Sequence, residues 1–296
     1  MTGFDRFSFS FASLLCVSAC ARIAPPPSVP PTANDALGRM HETFAACNAI
    51  QASAKIDRFD EHERVRGDVM LFAARPQSIR IDAVSPFGAA IATLASDGQR
   101  FALADLRSRT YYVGPATPCN LARLTSVAVP AHVLVDLLRG EAPVLKHEAS
   151  AGNIAWNTRG YWAIDITSSR EAKEEIHLAP RPEDWSKPWQ EQRMRVLDVR
   201  ISQQGYLLYH AELEDHSPAP MAAPRIDPDN LEPPLPPSGP PCDAEVPRKI
   251  HVEVPAPSSD VRFQYQQLSW NPPLPAGIFA LQPSPGMRVE TVSCDR

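Results

Sequence analysis

The stretch VRGDVMLFAARPQSIRIDAVSPFGAAIATLASDGQRFAL, residues 65–103, decides the fold of this chain. In its first half, apolar residues such as Ile79 and Ile81 alternate with charged ones, a period of two that is typical of a half-buried strand. The second half contains an almost entirely apolar run at 89–95, followed by the hairpin dipeptide Asp97-Gly98. Together these features predict a run of neighbouring antiparallel strands.

A turn interrupts this run at Ser85-Pro86-Phe87-Gly88. Pro and Gly are typical turn residues, because Pro fixes φ and Gly tolerates a positive φ. The large apolar Phe87 is therefore expected at the turn tip, between Pro86 and Gly88, where side chains usually meet solvent. Two interpretations stay open at this point: the ring packs against its own domain, or it contacts an apolar partner.

The period of two continues on both sides of this stretch. We predict strands at 50–56, 101–105, 110–114, 153–157, 161–167, 174–178, 195–202, 206–213, 249–254 and 261–268. Residues 34–46 have helical spacing, with Asn34 or Asp35 as the N-cap. About ten or eleven short strands with one or two helices predict an α+β fold, in which a single curved antiparallel sheet forms an unclosed half-barrel.

A second predicted helix runs from Pro130 to Arg139 and ends at Gly140. It is more apolar than a surface helix requires, so we expect it to cover the concave side of the sheet. The predicted lining of this interior is Val69, Leu71, Ile79, Ile81, Ile91, Leu94 and Phe101 from the strands and Val133, Leu134, Leu137 and Leu138 from the helix. Such a lining either surrounds a cavity or fills a core.

The N-terminus resembles a bacterial export signal followed by a lipid attachment site. Residues 7–19 are apolar, too few to span a bilayer, and end in Val17-Ser18-Ala19-Cys20. Small residues before a Cys are typical of the bacterial lipobox, in which cleavage precedes the Cys and its thiol carries diacylglycerol. We predict a signal peptide at 1–19, a lipidated Cys20 with a Pro-rich tether at 20–34, and one domain at 35–296. The alternative is a buried N-terminal helix with incidental cysteines.

The predicted anchor also indicates a location. A multiply acylated Cys20 would hold the protein firmly on a membrane, since each buried methylene contributes about 0.8 kcal/mol. Ala21, rather than Asp, follows the Cys, and by resemblance to the bacterial sorting rule this favours the periplasmic side of the outer membrane. The small and Pro-rich tether is expected not to pack.

Composition narrows the possible partners and marks one insertion. The net charge of −5 argues against a nucleic-acid binder, which would need a basic face. The 32 prolines are concentrated at 25–31 and 218–241, so they indicate linkers rather than strands. The Pro-rich insertion at about 215–243 has no periodicity, and we expect it to be a mobile loop.

Four cysteines remain after the predicted anchor: Cys47, Cys119, Cys242 and Cys294. An exported protein meets an oxidising environment, so two disulfides are expected. Three connectivities are possible. We favour Cys47–Cys119 with Cys242–Cys294.

The sequence contains no familiar catalytic or metal-binding signature. It lacks the P-loop, the GxSxG, HExxH and GxGxxG motifs, and any CxxC pair. Its eight histidines show no ligand spacing, and carboxylates such as Glu212 and Glu214 are interpreted as a solvated strand face. We therefore predict no catalytic residue, metal or cofactor, and a protein that is not an enzyme.

Four segments, at residues 75–82, 85–88, 130–140 and 274–279, together resemble one known family, the LolA/LolB lipoprotein carriers and receptors. Residues 75–82 are similar to the family's Arg-Pro-x-x-x-Arg strand entry, and residues 85–88 to its Pro-Leu-Gly turn before a strand. Residues 130–140 resemble the helix that ends in Leu-Leu-x-Gly, and residues 274–279 the closing Leu-Pro-x-x-x-Phe turn. The insertion and the four spare cysteines depart from the family pattern.

The resemblance implies an apolar cavity that binds the acyl chains of lipids or lipoproteins. Phe87 stands where LolB carries an exposed Leu that helps to deliver lipoproteins into the outer membrane, so Pro86, Phe87 and Gly88 become the candidate contact with membrane or cargo. A periplasmic carrier is the implied protein partner. The alternative is a structural or sensory envelope lipoprotein, whose domain binds another amphiphile or a protein.

Overall fold

The computed structural model of the protein describes residues 22–59, 64–229, 231–256 and 258–294. The predicted signal peptide and Cys20 lie outside the described residues. Within them, no helix combines the length and the apolar character needed to cross a membrane.

The helices of the described part are α1 (Ala33–Phe44), α2 (Pro118–Thr125) and α3 (Ala131–Arg139), with 3-10 turns at Ala149–Ala151, Pro182–Asp184 and Trp189–Glu191. The strands in chain order are β1 (Ala49–Phe59), β2 (Arg64–Ala74), β3 (Ser78–Val84), β4 (Ala90–Ser96), β5 (Arg100–Asp105), β6 (Thr110–Pro115), β7 (Gly152–Asn157), β8 (Tyr161–Thr167), β9 (Ala172–Pro180), β10 (Met194–Gln203), β11 (Tyr206–Glu214), β12 (Ser217–Pro218), β13 (Glu245–Val246), β14 (Lys249–Val254), β15 (Ser259–Trp270) and β16 (Arg288–Thr291).

One open sheet of fourteen strands dominates the described residues, in the order β16-β6-β5-β4-β3-β2-β1-β15-β14-β11-β10-β9-β8-β7. Adjacent strands in this sheet are antiparallel, except that β16 runs parallel to β6. The two ends of the order, β16 and β7, do not pair with each other, so the sheet is not closed. The predicted α+β fold with an unclosed antiparallel sheet is confirmed, with more strands than the ten or eleven expected.

The helices all pack on one face of the sheet. α1 lies against β7 and β10, α2 against β5, and α3 against β2 and β3. Between them lies one continuous apolar core, in which Phe44 and Trp270 make an edge-on ring contact at 6.5 Å. We call this the inner face, and the opposite one the outer face.

The ends of two helices show how local chemistry sets the boundaries. α1 begins before the predicted caps Asn34 and Asp35, because the Oγ1 of Thr32 accepts a hydrogen bond from the Asp35 amide at 3.2 Å. α3 ends as predicted at Gly140, whose φ of 83° continues the chain away from the helix axis.

The Pro-rich insertion is not the free loop that its composition predicts. Its chain follows the end of β15, where the Ala222 amide donates to Trp270 O at 2.9 Å and the Trp270 amide donates to Pro220 O at 2.8 Å. Near its end, Pro240 O accepts from the Asn271 side chain at 2.7 Å. Proline removes a donor but keeps its carbonyl, so such a segment can still be held by donors from the domain.

The predicted tether also packs against the domain from Ile23 onward, contrary to expectation. The Ile23 amide donates to Thr158 O at 2.9 Å, and Ile23 O accepts from the Trp156 indole at 2.9 Å. Further along, the Trp189 amide donates to Ser28 Oγ at 2.9 Å. This segment therefore runs beside the edge strand β7 and the β7–β8 connection.

Two disulfides are present, but the favoured pairing was wrong. Cys47 bonds to Cys242, with Cα atoms 5.1 Å apart, and Cys119 bonds to Cys294, with Cα atoms 6.3 Å apart. The parallel pairing of β16 with β6 carries the C-terminal segment to the start of α2, which determines the second bond. This pairing joins distant parts of the chain, and the spacing of the cysteines does not reveal it.

Candidate functional site: the inner face and the turn end of the sheet

The Ser85–Gly88 turn has a defined backbone geometry. The Gly88 amide donates to Ser85 O at 2.8 Å, the Ser85 amide donates to Ala89 O at 2.8 Å, and Gly88 has a φ of 80°. This is a hairpin connection in which Gly takes the position that other residues rarely adopt. It holds Phe87 at the tip, where 96% of its surface is exposed.

The ends of several other strands lie at the same end of the sheet as Phe87. In an antiparallel sheet alternate connections share an end, so the β1–β2, β3–β4, β5–β6, β8–β9, β10–β11 and β14–β15 connections lie together. We call this end the turn end. One row of paired residues lies close to the turn end and runs across β1, β15, β14 and β11: Phe59, Asp260, Glu253 and His210.

The turn end is rich in exposed apolar side chains. Of the twelve large hydrophobic residues exposed within the described part of the chain, six lie there. They are Phe59 (58% exposed), Val65 (39%), Phe87 (96%), Leu106 (46%), Tyr206 (75%) and Leu208 (44%). Sequence reasoning found only Phe87. The other five could have been found by the same feature, a large apolar residue in or beside the connection between two strands.

The predicted interior lining is packed by its own side chains. Val69, Leu71, Ile79, Ile81, Leu94, Phe101, Val133, Leu134, Leu137 and Leu138 are all buried and belong to the same core. Ile91 is only half-buried and lies outside that core. Two cavities, of about 800 and 860 Å³, are lined mainly by polar and charged side chains of the outer face. The structure thus brings the predicted lining residues other than Ile91 together, and they fill a core beneath α3.

The two helices over β2, β3 and β5 meet at the turn end. Their connection contains Ser126, which has a left-handed φ of 58°. Its carbonyl accepts a hydrogen bond from Ser259 Oγ at 2.6 Å, and its hydroxyl accepts one from Arg58 Nη1 at 3.1 Å. The connection between α2 and α3 is therefore fastened to β1 and β15 by two polar contacts.

The other end of α3 carries a buried charged cluster. Arg139 is fully buried, and its Nη1 lies 3.0 Å from Glu141 Oε2 and 3.2 Å from Asp136 Oδ1. Its Nε donates to the carbonyl of Cys47 at 3.1 Å, and its Nη2 also donates to that carbonyl. This side chain ties the end of α3 to the chain segment between α1 and β1.

Glu141 extends this cluster toward α1 and β2. Its Oε1 lies 2.9 Å from His41 Nδ1 and 3.2 Å from Arg75 Nη2. Burial alone would raise the pKa of Glu141, but the hydrogen bond with His41 and the charge of Arg139 hold it below its usual range. Burial, with the nearby charge of Glu141, raises the pKa of Asp136 to about 7.

A second buried carboxyl lies on the inner face of β9. Glu174 Oε2 accepts a hydrogen bond from the Leu145 amide at 2.7 Å, while its Oε1 is buried without a partner among the described residues. Burial raises the pKa of Glu174 to about 8. Tyr209, two strands away in the same row, has a buried hydroxyl that also lacks a partner there. These groups place polar atoms within an otherwise apolar interior.

Replacing Glu174 by Gln is expected to change how stability depends on pH. Between pH 4.5, the usual pKa of Glu, and about pH 8, the folded protein keeps a proton on Glu174 that the unfolded chain loses. The free energy of unfolding of the native protein therefore falls with rising pH across this window, by up to about 1.4 kcal/mol per pH unit. Urea unfolding at pH 5, 6, 7 and 8 measures this.

The Glu174→Gln variant should lack that contribution, so its stability advantage over the native protein should grow from pH 5 to pH 8. The matched control is Glu148→Gln, which changes an exposed carboxyl. A difference between Glu174→Gln and the native protein that stays constant with pH would contradict the buried, protonated state.

No protein-family model and no curated protein matches this sequence. Solved structures are similar to it in fold. A DUF1329 family protein from Desulfovibrio piger has a TM-score of 0.50 and 8% identity, over 83% of this chain and 95% of that one. A LolA superfamily protein from Nitrosomonas europaea has a TM-score of 0.45 and 11% identity, over 84% and 98%.

A third similar structure is a putative outer membrane lipoprotein-sorting protein domain from Vibrio parahaemolyticus, with a TM-score of 0.44 and 10% identity, over 84% of this chain and 97% of that one. At such identities the likeness is one of fold, and it assigns no role to any residue. The likeness to the DUF1329 family protein, with its TM-score of 0.50, shows a shared fold.

Proposed function

We propose that this protein is an envelope lipoprotein, anchored through Cys20, that binds acyl chains of lipids or lipoproteins at the turn end of its sheet. In this role it helps to localise lipids or lipoproteins to the outer membrane. The observation that carries the proposal is Phe87, a large apolar side chain that a defined hairpin holds 96% exposed. The resemblance of four sequence segments to the LolA/LolB family supports it.

Exposing the Phe87 ring to water has a cost in free energy. Moving a Phe side chain from water into apolar surroundings contributes about 1.5–3 kcal/mol. Single exposed apolar residues are ordinary, whereas a concentration of them in one region usually marks a contact surface. Since half of the exposed large hydrophobic residues of the described chain lie at the turn end, this is the surface where we expect an acyl chain to bind.

The packed interior sets a condition on how far an acyl chain can enter. Val133, Leu134, Leu137 and Leu138 fill the space between α3 and the sheet. An acyl chain can therefore reach the inner face only if α3 moves away from β2 and β3. The α2–α3 connection at Ser126 lies at the turn end and is held by two hydrogen bonds, so first contact with cargo and the opening of this cover would occur at the same end.

Ile23, which follows the predicted anchor closely in the sequence, lies toward the opposite end of the sheet. Ile23 bonds to Thr158 in the β7–β8 connection, which is across the sheet from the β8–β9 connection at the turn end. Cys20 precedes Ile23 by three residues, a reach of at most about 10 Å. We therefore expect the turn end to point away from the membrane that holds Cys20, and to receive cargo from a periplasmic carrier.

The test is direct binding of an acylated ligand. Protein lacking residues 1–20, and thus the predicted anchor, is titrated against a fluorescein-labelled, palmitoylated peptide, with the same unacylated peptide as the control ligand. We expect saturable anisotropy changes with the acylated peptide alone. Equal responses to both peptides, or none to either, would refute acyl binding.

A second candidate function is supported by the tip of the insertion. Ile226 is 68% exposed and Leu231 is 84% exposed, beside a backbone pairing between Arg225 and Leu235. These side chains would suit a structural or sensory envelope lipoprotein that docks a protein partner through its insertion. Under that alternative the palmitoylated peptide should not bind.

A further inference from the structure

Three histidines of this chain lie on strands in a repeated pattern with glutamate. The pattern is His-x-Glu at His210-Ala211-Glu212 and at His251-Val252-Glu253, and Glu-x-His at Glu175-Ile176-His177. Residues two apart on a strand share a face, so each imidazole has a carboxylate beside it on the outer face. Spacing along the chain does not reveal how these residues are arranged, because the arrangement depends on which strands pair.

Strand pairing combines the two His-x-Glu segments into one square. His210 of β11 is paired with Glu253 of β14, and Glu212 with His251. The two imidazoles therefore occupy opposite corners, and each one has a carboxylate along both edges. His251 Nδ1 lies 2.9 Å from Glu212 Oε2, and His210 Nδ1 lies 3.7 Å from Glu253 Oε2.

The neighbouring strands add one further carboxylate to each imidazole. Asp198 Oδ2 of β10 lies 2.7 Å from His210 Nε2, and Asp260 Oδ1 of β15 lies 2.9 Å from His251 Nε2. Two triads result, Asp198–His210–Glu212 and His251–Glu253–Asp260, and within each triad one ligand atom from every residue lies within 4.8 Å of the others.

The surroundings leave this cluster accessible from the outer face. The cavity of about 860 Å³ is lined by Asp198, His210 and Glu212, and the cavity of about 800 Å³ by Glu212 and His251. The His210 and His251 side chains are 11% and 18% exposed, while both glutamates are 46% exposed. The imidazoles are thus held in place, and the glutamates have room to move.

The charges of the cluster are unbalanced. Four carboxylates meet two imidazoles, and the cations beside them are Arg200, paired across from His210, and Arg262, whose Nε lies 3.8 Å from Asp260. Ion pairing with protonated histidines explains part of this arrangement. Ion pairing alone does not explain why two imidazoles and two carboxylates alternate around one square.

We propose that this outer-face cluster binds a divalent first-row transition cation of the Zn²⁺ class. Imidazole nitrogen and carboxylate oxygen bind such ions at about 2.0–2.2 Å, which places ligand atoms about 3.3 Å apart in a tetrahedral site. The triads approach this spacing, and the exposed Glu side chains can close the remaining gap. Carboxylates that hold the second imidazole nitrogen are also the usual outer partners of metal-binding histidines.

The test is calorimetric titration of the untagged full-length protein with ZnCl₂. The expected result is saturable binding, a higher Tm with Zn²⁺, and little response to MgCl₂. The double variant His210→Gln/His251→Gln should lose at least tenfold in affinity. The matched control is His177→Gln, because His177 lies on the same face but stacks on Tyr161 at 4.1 Å and is in neither triad.

Circular dichroism shows whether each variant is folded, and Glu212→Gln, a nearly isosteric change, repeats the test with the imidazoles intact. Absence of saturable Zn²⁺ binding by the native protein would overturn the proposal. Equal affinity in the native protein and the folded double variant would do so too, as would a loss in His177→Gln as large as in the double variant.

Discussion

Replacing Arg139 by Met is expected to lower the free energy of unfolding by about 3–5 kcal/mol, the usual effect of removing one partner from a buried ion pair. The substitution keeps most of the side-chain volume but leaves Glu141 buried with less compensation. It also removes two hydrogen bonds to the Cys47 carbonyl. Because Arg139 connects the end of α3 to the segment before β1, its removal should loosen the packing of α3 on the inner face. Urea unfolding at pH 7 measures it.

Two variants make this prediction specific. Arg107→Met removes an exposed arginine of the β5–β6 connection and should change stability by less than about 0.5 kcal/mol. Adding Glu141→Gln to Arg139→Met removes the uncompensated charge and should recover part of the loss. A cost below about 1 kcal/mol for Arg139→Met would show that the cluster does not hold α3.

The fold could be predicted where local chemistry decides it. Alternation in β1 to β3, the Asp97-Gly98 hairpin and the Gly140 helix end are all local features, and the structure follows them. α2 was not predicted, since it has only eight residues and its start at Pro118 follows a strand directly. β16 was not predicted as a strand either, because its pairing with β6 depends on the folded domain.

The candidate site divides in the same way. Phe87 is exposed because the turn residues Pro86 and Gly88 hold it at the tip, and such turn residues can be recognised in a sequence. Whether Leu134 and Leu137 would line a cavity or fill a core depends on the distance between α3 and the sheet, which no local pattern encodes. The square of His210, Glu212, His251 and Glu253 depends on the register between β11 and β14, and sequence alone gives only its two halves.

Replacing Phe87 by Glu is expected to weaken binding of the acylated peptide at least tenfold while leaving stability unchanged. Losing the transfer of one Phe side chain removes about 1.5–3 kcal/mol from binding, and a charge at the tip opposes contact with an acyl chain. Stability should change by less than about 0.5 kcal/mol, because the ring is 96% exposed and the turn is held by Ser85, Gly88 and Ala89.

The matched control is Ile226→Glu, which introduces the same charge at a residue that is 68% exposed in the insertion. The most direct test of the account is therefore the affinity of the palmitoylated peptide for three proteins: the native sequence, Phe87→Glu and Ile226→Glu. All three lack residues 1–20 and are first shown to unfold at the same urea concentration. The account predicts that Phe87→Glu alone loses tenfold or more. Unchanged affinity in Phe87→Glu, or an equal loss in both variants, would contradict it.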